Sequence, residues 1–482
     1  MSLLRRFKRI EAFRALVFAL ALWPLAGCGP PPYNTARWAT RLHWAAEQRT
    51  PTQICELIAA GESVDARSDD EKTPLMLAAD WGSAANTRAL VAAGADVNAR
   101  DIWGATALMY AVAAPIQGQH GFLQDPQDVY ARVQALLAAG ADIEVRDREG
   151  RTALIRAARW SDLERINMLL AAGVDPNARD NEGRTALMWG VEGWLREIAQ
   201  VLLHAGAEPN ARDGAGRTAL MWAAKSQSYV VDGHPIQILL EAKSDIEAQD
   251  DDDWTALAYA AEFGTRYNVE LLLEGGADPS ALGWTQLHQV AAAGDLPAIE
   301  LALQQGSDLQ ARDMWGRTPL MWAAHFGNSH DRIRSLVEDG ADLEARDKDG
   351  RTALTIAAVY AYCGELQALL DGGANINAAD NNGITPLMHA AQKTYGQFMV
   401  ECLLTRGAAV SLKDLDGQTA LMYAAASSDD VTVKTLLDGG ADWSTIDNSG
   451  RTALDHARAS PWSLDQRWIM KLLEDASSGR DG

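Results

Sequence analysis

The chain has 482 residues and a formal net charge of −22, with 65 acidic and 43 basic side chains. So acidic a chain repels nucleic acid and anionic lipid head groups and favours a basic protein partner. Its four cysteines include no Cys-x-x-Cys pair, and it contains no glycine-rich phosphate loop, nucleophile elbow or His-Glu-x-x-His motif. The sequence therefore predicts no catalytic residue, metal, cofactor or small-molecule substrate, and a protein that binds rather than catalyses.

The first 27 residues have the three parts of a secretory signal. A basic start is followed by a nearly charge-free apolar stretch, residues 15–26, and then by small residues. The stretch is shorter than the roughly 20 apolar residues of a membrane-spanning helix. It ends Leu25-Ala26-Gly27-Cys28, which resembles the bacterial lipoprotein box. This resemblance implies cleavage before Cys28 and lipid attachment to it. A simple signal peptide, or an uncleaved anchor in which Cys28 is incidental, is the alternative.

Residues just after the lipoprotein box bear on location and on domain boundaries. Gly29 follows the cysteine, whereas enterobacterial lipoproteins of the inner membrane usually carry aspartate there. The resemblance therefore implies an outer-membrane lipoprotein that faces the periplasm. Three prolines at 30–32 favour a stiff tether. We divide the chain into a signal peptide (1–27), a proline-rich tether (28–36), a repeat domain (37–476) and a disordered tail (477–482).

A repeat occupies most of the chain. Each copy begins with threonine, one further residue, leucine and an alanine-rich run. The threonines are Thr40, Thr73, Thr106, Thr152, Thr185, Thr218, Thr255, Thr285, Thr318, Thr352, Thr385, Thr419 and Thr452. Seven of the twelve gaps are 33 residues and two are 34, a period typical of stacked supersecondary units.

Residues 147–179 show what one copy encodes. Thr152 is expected to cap a helix whose buried stripe includes Leu154 and Ala157. A second helix follows, and Gly173 is expected to end it. The segment between this glycine and the next capping threonine is rich in aspartate, asparagine and glycine, which favour turns. Each copy is therefore predicted to form a helix, a turn, a second helix and a projecting turn.

The pattern resembles the ankyrin repeat, whose signature is Thr-Pro-Leu-His-x-Ala-Ala followed by Leu-Leu-x-x-Gly-Ala-Asp. Three copies keep the proline, at Pro74, Pro319 and Pro386. Histidine remains only at His43 and His288, and seven copies have methionine there, which we interpret as core filler. The resemblance implies an all-α ankyrin-repeat solenoid of about thirteen helix-turn-helix units with projecting β-turns or hairpins.

Three gaps depart from the period. Insertions are expected near residues 113–128 and 226–235, and the gap from Thr255 to Thr285 is shortened to 30 residues. Insertions in such repeats are usually loops and sometimes lie on the binding face. The nearby acidic run at 250–253 lacks the spacing of a calcium loop, so a solvated turn is favoured.

Large aromatic residues occupy positions that contact partners in the ankyrin family. Tryptophan and tyrosine are common at interface hot spots, so these positions are candidate partner-binding residues. They are Trp81, Trp103, Trp160, Phe263, Trp284, Trp315, Phe326 and Tyr360. The alternative is that the rings cover a neighbouring repeat. A second aromatic row recurs in too many copies to suit one partner, so we interpret it as packing between repeats; it comprises Tyr110, Trp189, Trp222, Tyr259, Trp322 and Tyr423.

We therefore expect a lipid-anchored periplasmic scaffold that binds a protein partner on the concave ankyrin surface. Two narrower alternatives stay open. One is an immunity-type protein that neutralises an envelope-acting toxin, where an acidic surface would suit a basic toxin. The other is an accessory factor that supports a periplasmic stress enzyme.

Overall fold

The computed structural model describes residues 40–48, 50–114, 124–160, 162–192, 196–226, 234–327, 329–360, 363–393, 396–427, 429–459 and 464–477. The predicted signal peptide and tether lie outside the described residues. So do the predicted tail beyond Ser477 and most of the two insertions, residues 115–123 and 227–233.

The described chain forms thirteen pairs of α-helices. The described residues fall into two compact units that divide at the start of the eleventh helix, between Ala219 and Leu220. The first unit contains α1 Arg41–Gln48, α2 Pro51–Ala59, α3 Pro74–Asp80, α4 Ala84–Ala92, α5 Ala107–Ala113, α6 Pro126–Ala138, α7 Ala153–Arg159, α8 Leu163–Ala171, α9 Ala186–Gly190 and α10 Arg196–His204. Odd-numbered helices are the first helices of each pair and even-numbered ones the second. Within the unit, first helices pack on first helices and second helices on second helices.

The second unit continues the same order. It contains α11 Ala219–Ala224, α12 Pro235–Glu241, α13 Ala256–Phe263, α14 Arg266–Glu274, α15 Gln286–Ala292, α16 Leu296–Gln304, α17 Pro319–His325, α18 His330–Glu338, α19 Ala353–Tyr360, α20 Cys363–Asp371, α21 Pro386–Ala391, α22 Gln397–Thr405, α23 Ala420–Ser427, α24 Asp430–Asp438, α25 Ala453–Ala459 and α26 Leu464–Ser477. The fold is all-α as predicted. In the part described, extended pairing is limited to one isolated bridge between Arg179 and Thr185.

The recurring threonines start the first helices. Nine of them accept a hydrogen bond at 3.3–3.5 Å from the backbone N–H three residues on, which satisfies one free donor of the first turn. They are Thr40, Thr73, Thr106, Thr152, Thr185, Thr255, Thr352, Thr385 and Thr452. The predicted role of the repeated threonine is confirmed at these positions.

The methionine row is buried and takes over part of the histidine's role. The two histidines bind their capping threonine and also reach forward: His43 Nε2 lies 2.9 Å from Lys72 O of the next repeat. Methionine cannot make that second bond. It keeps the local contact, because the backbone N–H of Thr318 lies 3.4 Å from Met321 Sδ. Both Met321 and Met76 are 1 % exposed or less, which confirms their place in the core.

One aspartate organises each regular turn. In the turn before α17, Asp313 Oδ1 accepts the backbone N–H groups of Trp315 and Arg317 at 2.9 and 2.8 Å, and Gly316 adopts a φ of 75° that favours glycine. The second carboxylate oxygen takes a ring donor nine residues later, here Trp322 Nε1 at 2.7 Å. The turn is thereby fixed to the helix that follows it.

The same contact recurs along the chain and explains the second aromatic row. The same contact is made by the tyrosine hydroxyl or by a tryptophan or histidine ring nitrogen, 2.5–3.0 Å from the aspartate nine residues earlier, in Tyr110, Trp189, Tyr259, Trp322, His389, Tyr423 and His456. The sequence predicted packing between repeats for this row. These polar contacts join each ring to the turn of its own repeat, because a side chain at the start of the first helix points back towards that turn. Packing between repeats is present as well, since the Trp322 ring lies 4.9 Å, centroid to centroid, from that of Trp284 in the preceding repeat.

Polar side chains at the third position of several second helices connect neighbouring repeats. Arg165 of α8 donates from Nη1 to Val112 O and from Nη2 to Ala114 O, both at 2.6 Å. Asn268 of α14 donates to Ala224 O at 2.8 Å in the same way. The acceptors are free carbonyl groups at the end of the preceding first helix, which would otherwise be unpaired.

The shortened repeat changes the local geometry of the second unit. A single 3-10 turn, Pro279–Leu282, takes the place of the regular hairpin and ends at Gly283 with φ 72°. The repeats on either side of the shortened one then touch directly. Trp254 and Trp315 have ring centroids 6.0 Å apart, and Arg317 Nη2 lies 2.8 Å from Glu262 Oε2.

Candidate protein-binding surface

The eight predicted partner-binding aromatics divide between the two units. Trp81, Trp103 and Trp160 lie in the first unit and are 46, 45 and 53 % exposed. Those of the second unit are covered to different degrees: Phe263, Trp315 and Tyr360 are half-buried, whereas Trp284 and Phe326 are each 5 % exposed. Of the eight candidates, Trp284 and Phe326 are therefore covered by the protein itself and present little surface to a partner.

Packing in the second unit explains this difference. Trp322 is fully buried. The centroid of its ring lies 4.9 Å from that of Trp284 and 6.1 Å from that of Phe326. His325 lies 4.1 Å from Tyr360, centroid to centroid. These rings belong to three consecutive repeats, so the alternative interpretation, cover of a neighbouring repeat, describes them better than partner contact does.

The three exposed tryptophans, which we call the tryptophan surface, belong to consecutive repeats. Trp81 and Trp160 each occupy the eighth position after a capping threonine, where they end α3 and α7. Trp103 lies in the turn before α5, and the first helices α3, α5 and α7 pack side by side. All three rings therefore lie on the first-helix side of one compact unit.

An open pocket of about 110 Å³ adjoins Trp103. Its wall joins two neighbouring repeats and is lined by Trp103, Tyr110, Asp147, Arg148, Glu149, Arg151 and Arg156. Lys72, from the repeat before, holds its ammonium group 4.5 Å from the Tyr110 ring centroid and 5.6 Å from that of Trp103. Three consecutive turns thus contribute to this site.

The anionic groups at the pocket are already occupied. Asp147 accepts hydrogen bonds from Arg151 Nε at 2.9 Å and from Arg156 Nη2 at 2.8 Å. Burial would raise the pKa of Asp147, but the bonds from Arg156 and from the Arg151 backbone hold this pKa below its usual range. Glu149 pairs with Arg151 at 2.5 Å. Asp147 therefore stays ionised, and both carboxylates are paired within the protein.

Asp80 connects the pocket with Trp81, the next residue along the chain. Burial raises the pKa of the Asp80 carboxyl to about 6, although the charges of Lys72, Arg132 and Arg156 oppose this rise. Lys72 and Arg156, two cations at the pocket, both lower the pKa of Asp80 at the end of α3. The charges at the pocket are therefore felt at the end of α3.

Sequence reasoning missed Lys72, Arg148 and Trp44. Trp44 is 52 % exposed in the first described repeat, at a position assigned to packing in later repeats. For Arg148 a weak signal existed, because most repeats carry a neutral residue just after the turn aspartate. Neither basic residue stood out among the 43 in the chain.

Within the described residues, no three His, Cys, Asp or Glu side chains come together as a metal site would require. No helix in the described part combines the length and the apolar character needed to cross a bilayer.

Known proteins place this architecture in a family. A family model described as ankyrin repeats (3 copies) matches residues 42–122, 127–213, 196–283, 265–347, 287–380, 333–414, 360–447 and 387–478. Among solved structures, the ankyrin repeat domain of Bcl-3, a member of the IkappaB protein family, is 26 % identical, with a TM-score of 0.39 over 49 % of this chain and 98 % of that chain. The human ASB11 ankyrin repeat domain is 24 % identical, with a TM-score of 0.42 over 50 % of this chain and 100 % of that one. The chain belongs to the ankyrin-repeat family, whose repeats are protein–protein interaction modules.

Proposed function

We propose that this protein is a lipid-anchored periplasmic scaffold that binds a protein partner through the tryptophan surface of its first unit. The exposure of Trp81, Trp103 and Trp160 carries the proposal. Large rings left half in water on three consecutive repeats are costly unless a partner covers them, and tryptophan is enriched among residues that dominate binding energy. The pocket beside Trp103 adds a recess in which a partner side chain can anchor.

Simultaneous replacement of Trp81, Trp103 and Trp160 by alanine tests the surface. We expect loss of most partner captured by crosslinking in intact cells and identified by mass spectrometry, because each hot-spot truncation costs at least about 2 kcal/mol of binding. The helix content and thermal unfolding should stay close to wild type, since all three rings are about half exposed.

A matched control replaces Phe398 and Leu415, which are 67 and 71 % exposed in the second unit. This double alanine variant should capture the same partner as wild type. If it loses the partner while the tryptophan variant keeps it, the binding surface lies in the second unit and the proposal is wrong.

The anchor half of the proposal is supported by the sequence Leu25-Ala26-Gly27-Cys28, which lies outside the described residues. Replacing Cys28 by alanine should move the protein from the membrane fraction to the soluble periplasmic fraction, because the thiol that would carry lipid is gone. Cys55→Ala, at an exposed free cysteine of α2, is the control and should stay with the membrane. An unchanged membrane fraction for Cys28→Ala would refute lipid anchoring.

A further inference from the structure

Two cations lie at the pocket beside Trp103 without an ion-pair partner among the described residues: Arg148 in its wall and Lys72 next to it. Arg148 is exposed, and its guanidinium forms neither a hydrogen bond nor an ion pair with any described residue. The Lys72 ammonium group lies over the Trp103 and Tyr110 rings, and no described carboxylate lies within ion-pair distance of it. Both belong to a chain with a net charge of −22, so local excess positive charge is unusual for it.

Of the two aromatic side chains at the same place, Trp103 leaves a donor available. The indole N–H of Trp103 has no hydrogen-bond partner among the described groups. Tyr110 donates its hydroxyl proton to Asp101 at 2.6 Å, which orients the ring that faces Lys72. Guanidinium, ammonium and indole N–H groups are all donors, and none of them is an acceptor.

The size of the pocket limits what it can hold. A cavity of about 110 Å³ is well below the roughly 300–1,000 Å³ of pockets that enclose a small-molecule ligand. It can hold a single side chain of a larger partner. A basic side chain would be repelled by Arg148 and Lys72, whereas the pocket's own acids, Asp147 and Glu149, are already paired.

We infer that the pocket beside Trp103 binds an aspartate or glutamate side chain of the protein partner, with Arg148 and Lys72 as its counter-charges. The inference rests on the proposed function and adds the chemistry of the partner. Arg148 can engage both carboxylate oxygens through its planar fork. The Lys72 ammonium, held over two rings, keeps its remaining donors for the same group. The net charge of −22 favours a partner that is basic overall. The pocket therefore takes one acidic side chain of such a partner, at one defined place, and not an acidic segment.

A displayed random peptide library panned against the full chain in mild detergent tests this chemistry. We expect the selected peptides to share an acidic residue, and binding of a synthetic selected peptide to weaken by about tenfold or more when its acid is changed to the amide. Arg148→Glu should weaken binding further by charge reversal. Arg148→Lys should retain part of it, because the charge remains while the fork is lost.

The control is Arg88→Glu, a charge reversal at an exposed arginine of α4 in the same unit; it should bind like wild type. Peptides that depend on Trp103 but not on Arg148 or on an acid would overturn the inference and leave the proposed surface intact. Peptides that depend on neither Trp103 nor Arg148 would count against both. Selection of basic peptides, or of none that requires Arg148, would also overturn the inference.

Discussion

Arg165→Leu is expected to destabilise the first unit by about 3–5 kcal/mol, the range for breaking a buried charged contact by removing one partner. The Arg165 side chain is 2 % exposed, and its guanidinium bonds two carbonyl oxygens at the end of α5. Leucine would leave both carbonyls buried without a donor, and such groups lose their hydration without compensation. It would also leave Asp162, which lies 3.3 Å from Arg165 Nε, without its counter-charge.

The buried position that Arg165 occupies in α8 can accept an aliphatic side chain. Ile198 holds the same third position in α10 and is fully buried, so steric clash would not explain a loss of stability. Urea unfolding followed by circular dichroism gives the free energy, and hydrogen exchange of α5 and α8 locates the change. Arg88→Leu, at an exposed arginine of α4, should change stability by no more than about 0.5 kcal/mol. Equal effects of the two variants would show that Arg165 does not connect the repeats.

The hydrogen bonds from Arg165 to the end of α5 show which features of a repeat the sequence predicts and which it does not. The period of the threonines located every described first helix, because each cap depends on residues only three apart. It also placed Leu154 and Ala157 in the core, and Gly173, with φ 87°, beyond the end of α8. The role of Arg165 was not visible, since its acceptors lie about 50 residues earlier in the chain.

The candidate binding residues make the same point through exposure. Trp160 and Phe326 occupy the same position, eight residues after a capping threonine, yet they are 53 and 5 % exposed. Phe326 packs against Trp322 and His325 of its own repeat. Those two rings in turn contact Trp284 and Tyr360 of the neighbouring repeats, which closes the cluster. Position within the repeat is a local property that the sequence reports. Exposure depends on the side chains of neighbouring repeats, so the sequence alone could nominate the eight aromatics but not divide them.

The shortened repeat is the physical reason that the second unit closes over its aromatics. With the hairpin replaced by the turn Pro279–Leu282, Trp315 reaches the ring of Trp254. Phe263 stacks on Trp254 with centroids 5.8 Å apart and an interplanar angle of 21°. The 30-residue gap was visible in the sequence, but its effect on packing required the neighbours on both sides.

Trp322→Ala is expected to destabilise the second unit by about 3–5 kcal/mol, the usual cost of deleting a buried tryptophan side chain. Trp322 is the largest fully buried side chain described. Its ring contacts Trp284 and Trp315, and its Nε1 donates to Asp313 at 2.7 Å. Alanine would open a cavity among these rings and remove one of the donors that hold the turn aspartate.

Arg317 makes the loss larger than a cavity alone. Its guanidinium carbon lies 4.8 Å from the Trp322 ring centroid, and the side chain is 1 % exposed. Without the ring this buried cation keeps only its contacts to Trp315, at 5.5 Å, and to acids such as Glu262. The cation–π contact of a desolvated arginine contributes about 2 kcal/mol. We therefore expect the loss of unfolding free energy to lie near the upper end of the range of about 3–5 kcal/mol.

Two variants separate the parts of this effect when measured by urea unfolding. Trp322→Phe keeps a ring over Arg317 and loses the bond to Asp313, so it should cost about 1–2 kcal/mol, less than alanine does. Trp160→Ala removes a tryptophan that is 53 % exposed and should stay within about 0.5 kcal/mol of wild type. If Trp322→Ala lowered the free energy of unfolding no more than Trp160→Ala, the aromatic packing of the second unit would not stabilise the fold. The half-buried rings of that unit would then again be candidates for partner contact.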